Sequence, residues 1–221
     1  MANKKVHEHL LAIVKAGLNV HPVGGILSSL LGDYLPSSTD RAIQELGESL
    51  QSQINALGDR LDAAELDRDE FIELFKSAYL LTIRTHRKEK IQGSARLLAN
   101  MLLRTGDPQK LTYSELDHFI RALDALSSGA LRLFADIHAL SSGEHKQRGR
   151  APGLTVDHLV RSTEFRDNSF LLGLTRELSS WNLVDLQVPQ IRNEGDGNAS
   201  VTITPLGLRF ASTVLKDPLG S

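Results

Sequence analysis

Eight histidines and 27 Asp and Glu residues could supply metal or acid–base chemistry, so their spacing decides what they can do. His7-Glu8-His9 is the closest histidine pair. On a helix successive side chains point about 100° apart, so two histidines at i and i+2 cannot grip one ion as the i, i+4 pair of HExxH does. His86, His118, His138, His145 and His158 have no partner at a useful spacing. Asp67, Asp69, Glu70 and Glu73 crowd together, but acidic residues in the first turn of a helix complement its dipole. We read them as helix-start residues rather than a catalytic pair. No GxxxxGK[ST], GxGxxG or GxSxG occurs, so neither a phosphate cradle nor a nucleophile elbow has a motif behind it. The absence of cysteine removes disulfides, thiolate nucleophiles, iron–sulfur clusters and Cys-ligated zinc. The expectation is a protein that is not an enzyme, with no cofactor and no metal.

Two other groups of residues could act by binding. The densest positive charge is Arg84, Arg87, Lys88 and Lys90. At about 100° per residue the first three share a helix face while Lys90 turns away. Lys146, Arg148 and Arg150 form a second basic run that could join them. Together they are a candidate patch for phosphate or another anionic partner; the competing reading is a solvated surface paired with Glu89 and neighbouring acidic helices. The second group is apolar. Ala16–Gly32 carries no charged residue, and Val23, Ile26, Leu27, Leu30 and Leu31 are its candidate self-association or membrane residues. Pro-Val-Gly-Gly interrupts the stretch, which is also short of the ~20 apolar residues a spanning helix needs. It is either a buried plug of a helical bundle or a surface that inserts into a partner or membrane after a conformational change. His7, Glu8, His9 and Lys15 break up any signal-peptide core, and a cytoplasmic location is expected.

The elements that would position these residues follow from periodicity. Val6, Leu10, Ile13, Val14 and Leu18 predict a first helix over 4–17, and a short apolar helix follows from Ile26 to Leu35. Ile43, Leu46, Leu50, Ile54, Leu57 and Leu61 form a narrow seam like that of a long packed helix. Residues 66–104 keep the helical period without proline, as one long helix or as two joined near Thr85–Arg87. Gly-Asp-Pro at 106–108 stops it. Thr112-Tyr-Ser-Glu115 is a capping box that opens a helix expected to run past Gly129 to Ile137. Residues 141–153 are polar, basic and glycine-rich, and read as a linker. Beyond it come helices over 155–163 and 168–181, a strand over 183–188, a turn cluster at 193–198, a returning strand over 201–204 and a last helix from Thr204-Pro205 to Val214.

The stretch from Leu171 to Phe210, in which "LTRELSSWNLV" leads through a hairpin to "ITPLGLRF", resembles the second half of winged-helix domains. That resemblance implies that the helix with Leu174 and Leu178 packs under the wing and that Leu206 and Phe210 close the core. "HPVGGILSSLLGDYLPSSTDRAIQEL" and "RTHRKEKIQGSARLLANML" are similar to the layout of uncharacterised prokaryotic helical-bundle proteins, and the N-terminal part is loosely similar to the bundles of HeLo-type cell-death effectors. These likenesses imply self-association, membrane disturbance, or a place in a prokaryotic stress or phage-defence system.

Composition weighs between these readings. The chain has 25 Lys and Arg against 27 Asp and Glu, so no global field recruits nucleic acid or anionic membrane. Its 38 leucines and 5% aromatic content favour helix over a β-sandwich. Residues 151–221 hold six basic against eight acidic side chains, and Glu194 and Asp196 sit at the hairpin tip where DNA binders place cations. In the helix equivalent to a recognition helix, Arg176 is the one candidate DNA contact, with Glu177 beside it. The sequence therefore predicts a mainly α protein: a long-helix bundle over 1–140, a basic linker over 141–153, and a small winged-helix-like α+β domain over 154–221. Its expected role is a non-enzymatic protein-interaction or self-association module whose partner is a protein or a second copy. The alternatives are a winged-helix DNA-binding regulator and a latent membrane-perturbing effector.

Overall fold

A computed structural model describes residues 41–62, 66–85, 87–144, 154–188 and 199–215, and these are mainly helical with one small antiparallel sheet. The helices expected over 4–17 and 26–35, the linker's 145–153 and the hairpin tip lie outside them. The chain divides into two compact units after Asp124.

In the first unit, α1 (Arg41–Leu57), α2 (Arg68–Arg84) and α3 (Lys88–Met101) pack on one another. Leu46, Leu50 and Ile54 of the predicted seam are buried. The seam's helix stops at Leu57, because Gly58 takes φ +50°, a left-handed turn that costs glycine little. Leu61 is not helical but bridges to Leu103, where Asp62 N donates to Leu102 O and Arg104 N to Arg60 O, both at 2.9 Å. Of the two possibilities for 66–104, the chain takes the pair of helices. Thr85 and Arg87 are extended, so the helical hydrogen bonds stop there. Asp67 caps α2 by accepting from the amides of Asp69 and Glu70 at 3.0 and 3.1 Å. α3 is the central helix: Ile91, Ala95, Leu97 and Leu98 are each 1% exposed or less.

α4 (Tyr113–Ala125) opens with the predicted capping box. The Thr112 amide donates to Glu115 Oε2 at 2.9 Å and the Glu115 amide to Thr112 Oγ1 at 3.3 Å. The helix does not continue past Gly129. It ends at Ala125, and a new helix, α5 (Ser128–Glu144), starts after Ser127, whose hydroxyl accepts from the Ala130 amide at 3.1 Å. Serine competes with the helix by offering its own side chain to the backbone, which the leucine period of the sequence conceals.

α5 belongs to the second unit, Ala125–Leu215, so the division between compact units falls before the helix that 1–140 was expected to include. Its Phe134 ring packs edge-on against Phe210 with centroids 5.7 Å apart. After it come β1 (Leu154–Thr155), α6 (Val156–Ser162), α7 (Asn168–Ser180), β2 (Val184–Gln187), β3 (Ser200–Ile203) and α8 (Pro205–Phe210), which ends in a wide turn over Ala211–Leu215. The strands lie in the order β1-β3-β2, all antiparallel, with Val201 opposite both Leu154 and Leu186. Leu171, Leu174, Leu178 and Phe210 are buried beneath this sheet and helix set. The short β1, two residues long, has no alternation for a sequence to show.

Candidate interaction surfaces

Two members of the acidic group at 67–73 serve the fold. Asp67 caps α2, and Glu73 accepts a hydrogen bond from the Tyr113 hydroxyl at 2.9 Å. Burial, followed by the bond to Glu73 and the charge of that carboxylate, pushes the Tyr113 phenol up to about 12. His118 and His138 are half-buried and His158 is exposed; His7, His9, His86 and His145 lie outside the described residues. Among the described residues no three His, Asp or Glu side chains converge as metal ligands.

The basic patch is divided by the fold. Arg84 Nη1 pairs with Asp124 Oδ2 at 3.0 Å, and Lys90 Nζ donates to the Asp124 carbonyl at 2.9 Å. Both cations thus serve the C-terminal end of α4, where helix carbonyls lack partners and positive charge is favoured. Lys90 is only 7% exposed, so it is not part of the surface patch the sequence suggested. Arg87 and Lys88 are exposed where α3 begins, and no side chain caps that end. Lys146, Arg148 and Arg150 lie outside the described residues, as do Val23, Ile26, Leu27, Leu30 and Leu31. Among the described residues no helix is long and apolar enough to cross a membrane.

Other surfaces were not singled out by motif. A groove of about 550 Å³ runs between α1 and α3, with Glu45, Glu48, Ser52, Lys88, Gln92 and Arg96 among its lining residues. Their spacing of three and four along each helix was the available signal. The groove mixes both signs of charge.

The outer face of α7 is more telling. Asp167 caps it by accepting from the Phe170 amide at 2.6 Å, which fixes where the helix starts. Leu171, Leu174, Thr175 and Leu178 then point inward. Ser169, Gly173, Arg176 and Ser180 form the exposed row, with Phe170 at its edge, 57% exposed and leaning on the Phe165 ring at 6.1 Å. Glu177 does not accompany Arg176. Its carboxylate accepts from the Ser127 amide and, at 2.9 Å, from the Ser127 hydroxyl, and so holds the start of α5. Among the described residues of this unit, Val188 and Leu208 are also large, apolar and exposed, at 43% and 51%. Two of its other cations are held locally: Arg132 pairs with Glu164 at 2.8 Å, and Arg166 donates to the Val160 carbonyl at 3.1 Å. Burial, more than the nearby Glu164, holds the Asp136 carboxyl above its usual range, and Arg132 opposes the shift.

No family model matches the chain, and neither does any curated protein or solved structure.

Proposed function

We propose that this chain is a non-enzymatic protein-interaction and self-association module whose C-terminal unit docks a protein partner through the outer face of α7. The order α5-β1-α6-α7-β2-β3-α8 with its antiparallel β1-β3-β2 sheet supports reading that unit as winged-helix-like, which makes α7 the counterpart of a recognition helix. The observation that carries the function is the exposed row on that helix: an aromatic ring, a glycine, two serines and one cation, Arg176. A helix that reads duplex DNA needs several cations or amides for phosphates and base edges, and each neutralised phosphate adds to the salt dependence of binding. An exposed aromatic ring beside an arginine instead fits a protein interface, where aromatic residues and arginine are enriched.

The test is affinity capture with the full chain and two variants. Phe170→Asp is expected to abolish retention of the partner, because a buried aromatic anchor contributes about 2 kcal/mol or more. Arg176→Ala is expected to weaken retention less. Binding to duplex DNA at low salt that disappears with Arg176→Ala would overturn the reading in favour of the DNA-binding alternative.

A further inference from the structure

α1 and α3 pack side by side, and just past their C-terminal ends Leu61 bridges to Leu103, so the two helices run parallel and both start at the opposite end. α2 lies between them in sequence: it finishes at Arg84, and α3 begins at Lys88. The starts of α1 and α3 and the finish of α2 therefore share one end of the first unit. Leu80 and Ile83 stand at that end, and among the described residues of this unit they are the large apolar side chains left exposed, at 43% and 36%. At about 100° per residue they share one side of α2 with the half-buried Ile72 and Tyr79, opposite the buried Phe71, Leu74, Ala78 and Leu81. Arg84, next to Ile83, is already paired with Asp124 at 3.0 Å, so an ionic partner gains little from it.

We infer that the apolar side chains of Val23–Leu31, earlier in the same chain, cover this end of α2. Residues 16–32 contain no charged residue, and Val23, Ile26, Leu27, Leu30 and Leu31 are apolar, so the segment can lie against Leu80 and Ile83 without taking an ion out of water. Its place in the chain brings it within reach. About nine residues separate Gly32 from Arg41, where α1 starts, and at ~3.3 Å per residue they span up to about 30 Å. The outer side of α2 is about two helix diameters, ~20 Å, from α1. So short a tether holds the segment at an effective concentration of about 1 mM, an advantage that neither a second copy nor a separate protein shares. The contact goes beyond the docking of a partner through Phe170 and does not rest on it.

The chain has no cysteine, so a pair can be introduced without competition. In the full chain Ile83→Cys is combined with Ile26→Cys, Leu27→Cys, Leu30→Cys or Leu31→Cys. In the controls Asp59→Cys, exposed at the other end of the unit and nearer in sequence, replaces Ile83→Cys. Under mild oxidation at about 1 μM, where closure within a chain outruns pairing between chains, at least one pair with position 83 is expected to close about tenfold faster than its control. No closure, equal rates at positions 83 and 59, or disulfides between chains alone would overturn the inference, the last leaving the face to a second copy. A second measurement needs no disulfide. A thiol reagent should label Ile83→Cys alone slowly, and about fivefold faster once Ile26→Asp and Leu30→Asp are added. An unchanged rate would overturn the inference. So would protection of position 83 that appears only with vesicles of phosphatidylcholine and phosphatidylglycerol, which would give the face to a membrane. None of these results depends on whether Phe170 docks a protein, which affinity capture decides separately.

Discussion

At the residue scale, the ionisable groups that look most chemical are mostly holding backbone in place. Arg60 and Asp107 form a two-pronged pair at 2.9 and 2.8 Å, and Asp107 also accepts from the Gln109 amide at 2.9 Å. The hydrogen bond from Arg60 holds the Asp107 carboxyl below its ordinary value of 3.8 against the opposing effect of burial. The sign follows: a carboxyl that is more acidic when folded stabilises the fold above pH 3.8, and that contribution fades as pH falls through the lower folded value. Asp107→Asn is therefore expected to cost about 2 kcal/mol at neutral pH by chemical denaturation, with the gap to the parent protein narrowing below pH ~4. Arg60 sits 47 positions from Asp107, so no local pattern announces the pair. Lys90 shows the same blindness. Periodicity along one unbroken helix turned it away from Arg84, Arg87 and Lys88, but the chain breaks at Thr85–Arg87, and nothing local shows that Lys90 reaches the end of α4.

At the element scale, the sequence was most readable where local chemistry decides the outcome. The capping box at Thr112 and Glu115 and the helix start at Thr204-Pro205 depend on side chains within four positions of the backbone they serve, whereas the break at Thr85–Arg87 stood in the sequence only as one of two possibilities. The break at Leu126–Ser127 was hidden, because Leu123, Leu126, Ala130 and Phe134 keep helical spacing straight through it. Ser127 interrupts the helix with its own hydroxyl, and Glu177, 50 residues away, accepts from that residue as well. Beyond its local cap, the start of α8 is also tied to residues far off in sequence. Thr204 Oγ1 donates to the Asn182 carbonyl at 2.6 Å and accepts from the Gly207 amide at 2.9 Å. A Cβ on Gly207 would lie 2.0 Å from the Leu183 carbonyl oxygen, so backbone rather than a movable side chain stands in its way. Gly207→Ala should cost about 2–4 kcal/mol, measured as a lowered denaturant midpoint with an unchanged slope. An alanine there without loss of stability would refute this account of the junction.

At the scale of the whole molecule, the mainly α class with a small sheet near the C-terminal end was legible in the leucine periodicity and the two short alternating runs. The division after Asp124 was not, because it depends on which core α5 joins, and Phe134 meets Phe210 only in the folded second unit. Arg176, singled out as a candidate DNA contact, stands exposed on α7, while Phe170 was passed over because one exposed aromatic in an apolar helix carries no motif. The charge split has a structural counterpart: the acidic residues of the second unit include the α7 cap Asp167 and the Ser127 acceptor Glu177, so part of its negative charge is committed to the fold. The central claim is that α7 meets protein and not nucleic acid. A photoreactive phenylalanine in place of Phe170, activated in cells that express the full chain, reports directly on what lies against that helix. The account predicts a discrete protein adduct that is absent when the same probe replaces the exposed His158 of α6. Adducts at position 170 that vanish on nuclease treatment would contradict it.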